Sequence, residues 1–413
     1  MSTLNPKRTV AELKELRTLT GDQNGAQRIA WTDTWARARA WYKAKLADLP
    51  VSVEQDEAGN IWATLKGKSK EELLIGGHLD SVPNGGWLDG CLNVIGGLEV
   101  LRRINTEYGG KPPVTVRLVD WADEEGARFG RSLFGSSAVG GNMDPGQLAE
   151  LKDKEGIRLQ DALARHGVDI FKAHKATKQL KNAAAYLELH IEQGPVLLDL
   201  NLPLGVVLGT MGVERHFIRF KGQAAHSGST PMNRRRDALL AAGKMSQEIY
   251  KIAHKYGGVC TIGSCTTKPG IVTSVVEECT ITLDQRHIKA RNLAGMWKDA
   301  QAAARRFAKE GQVEVEFGDL WKIEPMPFHK DLLKFCDEAI KETCGVSHKL
   351  PSGPLHDAAE VARAGVPTVM LFTQSLHGIS HNKIEDTKEE HIEMSVLALD
   401  KLASKTMGWI LKQ

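Results

Sequence analysis

Four groups of side chains in this chain could bind a cation or move a proton, and each follows a run of apolar residues. In LLIGGHLDSVPNGGWLDG, His78 is followed two residues later by Asp80 and then by Asp89 on a glycine-rich turn. An aspartate two residues on can orient the imidazole and fix its tautomer for metal binding, and the second aspartate can reach the same ion. The same letters also describe a polar turn whose aspartate caps the next helix. The second group is Asp123, Glu124 and Glu125 in VRLVDWADEEGARF. Adjacent carboxylates repel one another unless a cation compensates them, and the roles open to them are metal ligand and general base. A solvated acidic loop is the alternative. His190, with Glu192 and Gln193 in AAYLELHIEQGPV, and His381 in LHGISHN complete the set. A lone histidine is ordinarily a surface or satisfied core residue, but four such groups after four strand-like runs point to one shared site. Imidazole and carboxylate without thiolate suit a catalytic zinc, manganese, cobalt or nickel better than a structural zinc.

These groups need elements to carry them. Residues 23–49 read as one helix with Trp31, Trp35 and Trp41 among its apolar positions, ending before Pro50. Strands are expected at 51–54, 61–65 and 73–77, the last running into His78. The spacing of Leu92, Ile95, Leu98 and Leu101 predicts a helix after Asp89, and a buried strand at 114–120 leads into the carboxylate run. Strand, polar loop and helix, repeated, argue for an α/β domain with its site at the carboxyl ends of the strands. From about 209 the pattern changes to strands at 214–220, 259–266, 271–274 and 280–286 with helices at 237–255 and 292–309, a complete small α+β unit. A helix after residue 330, a strand at 368–372 and a terminal helix from about 389 restore the first pattern. The expected architecture is a discontinuous α/β domain, 1–208 and 322–413, with a second domain inserted at 209–321.

Bulk properties agree with two globular domains and exclude some functions. A hydrophobic content of 42% over 413 residues can bury a large core. The net charge of +3 is small, and Arg234–Arg236, the one dense basic cluster, has no interleaved aromatics, so no nucleic-acid partner is expected. No stretch approaches the length of a membrane span, and the N-terminus has no apolar signal region. Six cysteines without close pairing fit reduced thiols, so a cytoplasmic protein is expected.

The segments GGHLDSVPNGGWLDG, DEEGARF, LELHIEQGPVL, FKGQAAHSGSTPMNRRRDAL, LDQRH, SGPLHDA and GISHN occur in order over nearly the whole length. In this the chain resembles the hydantoinase/carbamoylase branch of the metal-dependent aminoacylase and carboxypeptidase clan. That branch holds N-carbamoyl-L-amino acid amidohydrolases, β-ureidopropionases and allantoate amidohydrolases, and HIEQG with AHSGSTPM separates it from the peptidases.

The resemblance implies a dinuclear-metal catalytic domain, its mixed sheet flanked by helices, plus an inserted α+β sandwich that serves as lid and dimerisation element of a homodimer. His78 and His190 would each hold one metal with Asp89 bridging, and Glu125 and His381 would complete the second. The two divalent ions would be zinc, or else manganese, cobalt or nickel. Asp80 would hold His78 from behind, and Glu124 would be the general base that takes a proton from the bridging water and delivers it to the leaving nitrogen. His226 would stabilise the oxyanion and Arg286 would bind the carboxylate of a small-molecule substrate. Gln193 and the chain at Ser352 and Gly353 would hold its other polar groups. The implied reaction is hydrolysis of an N-carbamoyl amino acid to the amino acid, carbon dioxide and ammonia; allantoate and other N-acyl or amide-linked amino acids are the alternatives. The departures from the family pattern lie around the substrate. Gly270 and Thr273 stand where substrate-contacting asparagines are usual, and Pro354 and Leu355 replace small residues.

Overall fold

The computed structural model describes residues 4–413. Two compact units emerge: one runs to Leu208 and resumes at Phe328–Gln413, and the other is Gly209–Pro327.

The first unit is built on a mixed sheet with strand order Leu204–Thr210, Thr368–Thr373, Ala183–Ile191, Glu72–His78, Thr115–Trp121, Ile61–Leu65 and Ser52–Gln55. The strands from Thr368–Thr373 to Thr115–Trp121 are mutually parallel, and the flanking pairs are antiparallel. A parallel sheet needs cover on both faces, and alternate residues of these strands pack into two separate cores. Leu73, Ile75, Leu187, Leu189, Val369 and Leu371 face a core that includes residues of helices Cys91–Glu107 and Glu389–Ile410. Leu74, Tyr186, Met370 and Phe372 face the opposite core with Trp31, Trp35, Trp62 and Trp121. The central strands therefore read as mostly apolar runs, interrupted by Arg117, Asp120 and Glu188, which is why they are visible in the sequence.

The N-terminal region differs from the expected long helix. A helix at Pro6–Thr20, capped by the Asn5 side chain, is followed by a two-residue hairpin at Gly21–Asp22 and Gly25–Ala26. The tryptophan helix begins only at Asp33, where the Thr32 hydroxyl accepts the Trp35 N–H. Trp31 itself has φ +63°, so the helix cannot extend back through it.

The second unit is a four-stranded antiparallel sheet in the order Val259–Lys268, Glu278–His287, Gly212–Lys221 and Glu314–Ile323. Cys279, Ile281 and Leu283 pack with Met245 and Ile249 of helix Ala238–Tyr256 and with Met296, Ala300 and Ala304 of helix Ala290–Gly311. Asp237 caps the first of these helices by accepting from the Leu239 and Leu240 N–H groups. The fourth strand differs from expectation. It is Glu314–Ile323, a half-exposed edge strand with a register shift between Asp319 and Trp321, and it continues past residue 321. The segment expected as a strand at 271–274 instead contributes only Ser274–Val275, which pairs with Ala225–His226. Among the described residues all six cysteines are free thiols, and no helix is long and apolar enough to cross a membrane.

Candidate metal centre

Parallel strands present their carboxyl ends on one side, which is how four segments far apart in sequence converge. His78 closes Glu72–His78, and Asp123, Glu124 and Glu125 follow Thr115–Trp121. His190 lies near the end of Ala183–Ile191, and His381 follows Thr368–Thr373 across a loop. Asp89 arrives by the glycine turn that precedes helix Cys91–Glu107. Gly90 in that turn has φ +67°, and a β-carbon there would fall 2.4 Å from the His78 ring. Glycine is thus required both for backbone conformation and for space.

The Asp89 carboxylate stands between two sets of donors. Its Oδ1 is 3.7 Å from His78 Nε2 and 3.1 Å from His190 Nε2. Its Oδ2 is 3.4 Å from His381 Nε2, which is 3.3 Å from Glu125 Oε2. Ligand atoms on a tetrahedral zinc with bonds of about 2.0–2.1 Å stand roughly 3.3 Å apart, so both sets have the spacing of donors around a cation. His78 and His190 share one oxygen of Asp89 and so form one donor set, instead of serving separate ions as the resemblance implied.

Both of these rings are aimed by main chain. The Nδ1–H of His78 donates to the Asp80 carbonyl at 3.1 Å and that of His190 to the Ile191 carbonyl at 2.9 Å, leaving Nε2 as the nitrogen with a free lone pair. His78 Nε2 and Glu125 Oε1 are buried without a hydrogen-bond partner. A buried donor set this poorly satisfied fits a divalent cation.

The electrostatics point the same way. Burial and the charges of Glu125, Asp357, Asp80 and Asp89 hold Glu124 well above the usual carboxylate range. Burial with Asp89, Asp80 and Glu385 does the same to Glu125. Burial pushes His78 down to about 4. At His190 burial opposes charge, but the bond to Asp89 outweighs it and the ring rises to about 9. Asp89 is likewise held well below the carboxylate range, burial being overcome by His190 and His381. Carboxyls held above their usual range, and the His190 and His381 rings drawn upward by Asp89, are what crowded cation-binding side chains show.

The Asp80 carboxylate has a different task from the one expected. It lies 3.6 Å from His78 Nδ1, and its oxygens accept the Glu124 N–H at 3.2 Å and the Glu125 N–H at 3.1 Å. It therefore fixes the backbone of the acidic run, while its own carbonyl orients His78. Glu124 Oε2 lies 3.8 Å from His78 Nε2, beside the cluster. Asp123, buried at φ +58°, accepts the Trp31 indole N–H at 2.7 Å and anchors the loop.

Two residues at the site were not anticipated. Glu385 Oε1 accepts the N–H groups of Leu88 and Asp89, both at 3.1 Å, and its Oε2 accepts from Ser380 Oγ at 2.5 Å. It ties the Asp89 turn to the His381 loop, and a β-carbon on Gly86 would lie 2.0 Å from its carboxyl. His356 packs its ring 4.4 Å from that of His190 and bonds Ser352 Oγ through Nε2 at 2.9 Å. Replacing Glu385 with alanine should weaken metal binding about 10- to 100-fold, the usual effect of losing a group that orients a ligand. A competition titration against a chelator reads this, and unchanged affinity in a folded variant would remove Glu385 from the centre.

The residues expected around a substrate divide between the two units. Gln193, at φ +61°, donates from Nε2 to Asp89 Oδ2 at 2.9 Å, and its Oε1 is buried without a partner. The Ser352 hydroxyl is turned inward to the Pro354 carbonyl at 2.9 Å, so the cavity wall here consists of Pro354, Leu355 and His356. In the second unit, the Nδ1 of His226 accepts from the Gly228 and Ser229 N–H groups, so its Nε2 carries the proton of the neutral ring. Arg286 is engaged by Asp284, with Nε 2.9 Å from Oδ1. Thr273 is exposed, and its carbonyl accepts the Ser227 N–H at 2.9 Å.

The chain has counterparts among known proteins. The model of peptidase family M20/M25/M40 matches residues 74–405. The chain belongs to this family. An N-carbamoyl-L-amino acid amidohydrolase of Geobacillus stearothermophilus is 34% identical over 370 residues, 89% of this chain and 90% of that protein. An allantoate amidohydrolase of Escherichia coli (strain K12) is 32% identical, covering 88% of each chain. The solved structure of a hydantoinase/carbamoylase family amidase from Burkholderia multivorans superposes with a TM-score of 0.86 at 29% identity, over 97% of this chain and 98% of that one. The resemblance drawn from the motifs therefore holds, and this M20-family chain is an amidohydrolase with a mixed α/β fold.

Proposed function

We propose that the protein hydrolyses an N-carbamoyl amino acid with one water to the free amino acid, carbon dioxide and ammonia. The observation that carries this reading is the Asp89 carboxylate, with one oxygen toward His78 and His190 and the other toward His381, beside Glu124. The substrate class comes from the relatives that bear the name N-carbamoyl-L-amino acid amidohydrolase.

In this reading Asp89 lies between two sites for divalent ions, zinc or else manganese, cobalt or nickel, which would supply polarisation of the ureido carbonyl and a lower pKa for the attacking water. His78 and His190 would hold one ion, and Glu125 and His381 would hold the other. Glu124 takes the proton of the attacking water on its carboxylate and passes it to the leaving nitrogen, which a carboxylate committed as a ligand would do poorly. The unpartnered Oε1 of Gln193 is suited to accept a substrate N–H. From the inserted unit, His226 offers its Nε2–H to developing negative charge and Arg286 its planar fork to the substrate carboxylate. That unit acts as lid and dimerisation element, and the protein works in the cytoplasm as a homodimer.

Allantoate is the second reading, since a relative bearing that name is nearly as similar. A panel on metal-reconstituted protein decides between them. It compares N-carbamoyl-α-amino acids, N-carbamoyl-β-alanine, allantoate and N-acyl amino acids, scoring ammonia and free amino acid. Turnover of acyl compounds alone would sink the carbamoyl reading.

A further inference from the structure

The cavity over the metal centre is about 490 Å³ and its lining combines two chemistries. Asp89, Glu124, Glu125, His190 and His381 are polar lining, and Leu133, Pro354 and Leu355, with Ser132 and His356 next to them in the chain, supply the apolar lining. Both pieces of the apolar wall are held rigidly.

Leu133 is the more telling piece. Its backbone is left-handed, φ +60° and ψ +35°, a conformation that glycine or asparagine adopts readily and leucine does not. Its N–H donates to the Glu124 carbonyl at 2.7 Å, and the next N–H, of buried Phe134, donates to the Asp123 carbonyl at 3.1 Å. The acidic run thus dictates the backbone at residue 133, and the sequence keeps a large apolar side chain there against local preference. Strain of this kind at a cavity is evidence that the side chain has work to do there.

Leu355 is fixed from the other direction. Pro354 restricts the chain before it, and the Pro354 carbonyl accepts the Ser352 hydroxyl at 2.9 Å. His356 after it is clamped between the His190 ring and Ser352 Oγ. A preorganised apolar wall discriminates between substituents because it does not rearrange to suit the wrong one.

We propose that Leu133, Pro354 and Leu355 receive the α-substituent of the substrate, so that the protein prefers N-carbamoyl amino acids with aliphatic side chains. This rests on the amidohydrolase reading of the same site. Allantoate, 2,2-diureidoacetate, carries a second ureido group at that α-carbon. Against the side chains of Leu133, Pro354 and Leu355, the N–H and C=O groups of that ureido would lose water without gaining partners from them. An aliphatic side chain there instead leaves water for a matching surface.

The test compares kcat/KM on metal-reconstituted full-length protein for N-carbamoyl-leucine, N-carbamoylglycine and allantoate. The leucine compound should exceed the glycine compound by about 10- to 200-fold, the range for apolar pocket contacts, and should also exceed allantoate. Leu355→Ala and Leu133→Gly should each lower the leucine-to-glycine ratio at least several-fold. The glycine variant also relieves the left-handed strain, so a melting curve separates lost selectivity from lost fold. A ratio near one in the native protein, a ratio unchanged in both folded variants, or a preference for allantoate overturns the wall. If no ureido compound releases ammonia but acyl compounds are cleaved, the carbamoyl reading fails. N-acetyl-leucine against N-acetylglycine then tests the wall in the same way.

Discussion

Glu124→Gln should lower kcat by about 10²–10⁴-fold, the usual contribution of a positioned general base, while bound metal stays at the native level. The substitution preserves size, and the backbone N–H at 124 remains held by Asp80 at 3.2 Å. What it removes is the ability of the side chain to accept and return a proton. Metal analysis by emission spectrometry and steady-state kinetics on one preparation separate the two effects. Geometry alone leaves a competing role for this residue, because Glu124 Oε2 at 3.8 Å is nearly as close to His78 Nε2 as Asp89 Oδ1 at 3.7 Å. If Glu124 were a ligand, the glutamine variant would lose metal together with activity. Retained turnover would instead discard it as the base.

The glycine-rich turn and the carboxylate run can be seen in the sequence because their composition is unusual: charged residues clustered directly after mostly apolar strands. A parallel sheet buried on both faces produces that signal, since its central strands are mostly apolar and the residues of the site collect at or just after their ends. Glu385 gives no such signal. It is one acidic letter in a loop, and its task is to accept backbone N–H groups that any sequence would supply at residues 88 and 89. Its only trace is Gly86, whose missing side chain makes room for it. Leu133 is hidden for a related reason, because a left-handed leucine looks like an ordinary apolar residue until its φ is known. Asp80 could be read as a partner of His78 from spacing, but spacing does not say whether the carboxylate or the carbonyl makes the contact. The edge strand Glu314–Ile323 escaped because half-exposed alternation, broken by a bulge, resembles a loop. Central, doubly buried elements thus announce themselves, whereas edges and positioning contacts do not.

Asp89→Asn should have an effect opposite in kind to Glu124→Gln, removing metal binding itself and activity with it. The two carboxylate oxygens face different donor sets, Oδ1 toward His78 and His190 and Oδ2 toward His381. An asparagine offers one acceptor and one NH₂ group, so whichever way it is turned, one set gains a donor where a cation needs a lone pair. The loss of negative charge also weakens the remaining set, in which Asp89 is the shared countercharge. Ligand binding stabilises a native fold by RT ln(1 + [L]/Kd), about 2.7 kcal/mol at one hundred times Kd. The metal-free native protein should therefore melt at a higher temperature when zinc or manganese is added. In Asp89→Asn that shift should shrink to a small fraction, and the bound metal per chain should fall below the native value. The Gln193 side chain, which donates to Oδ2 at 2.9 Å, can still bond an amide oxygen turned its way, so the fold itself has no reason to fail. A variant that binds metal with native stoichiometry and the full thermal shift would show that the cation does not depend on Asp89. Loss of metal here with retention in Glu124→Gln is the pattern expected of one carboxylate that binds and a neighbour that moves protons.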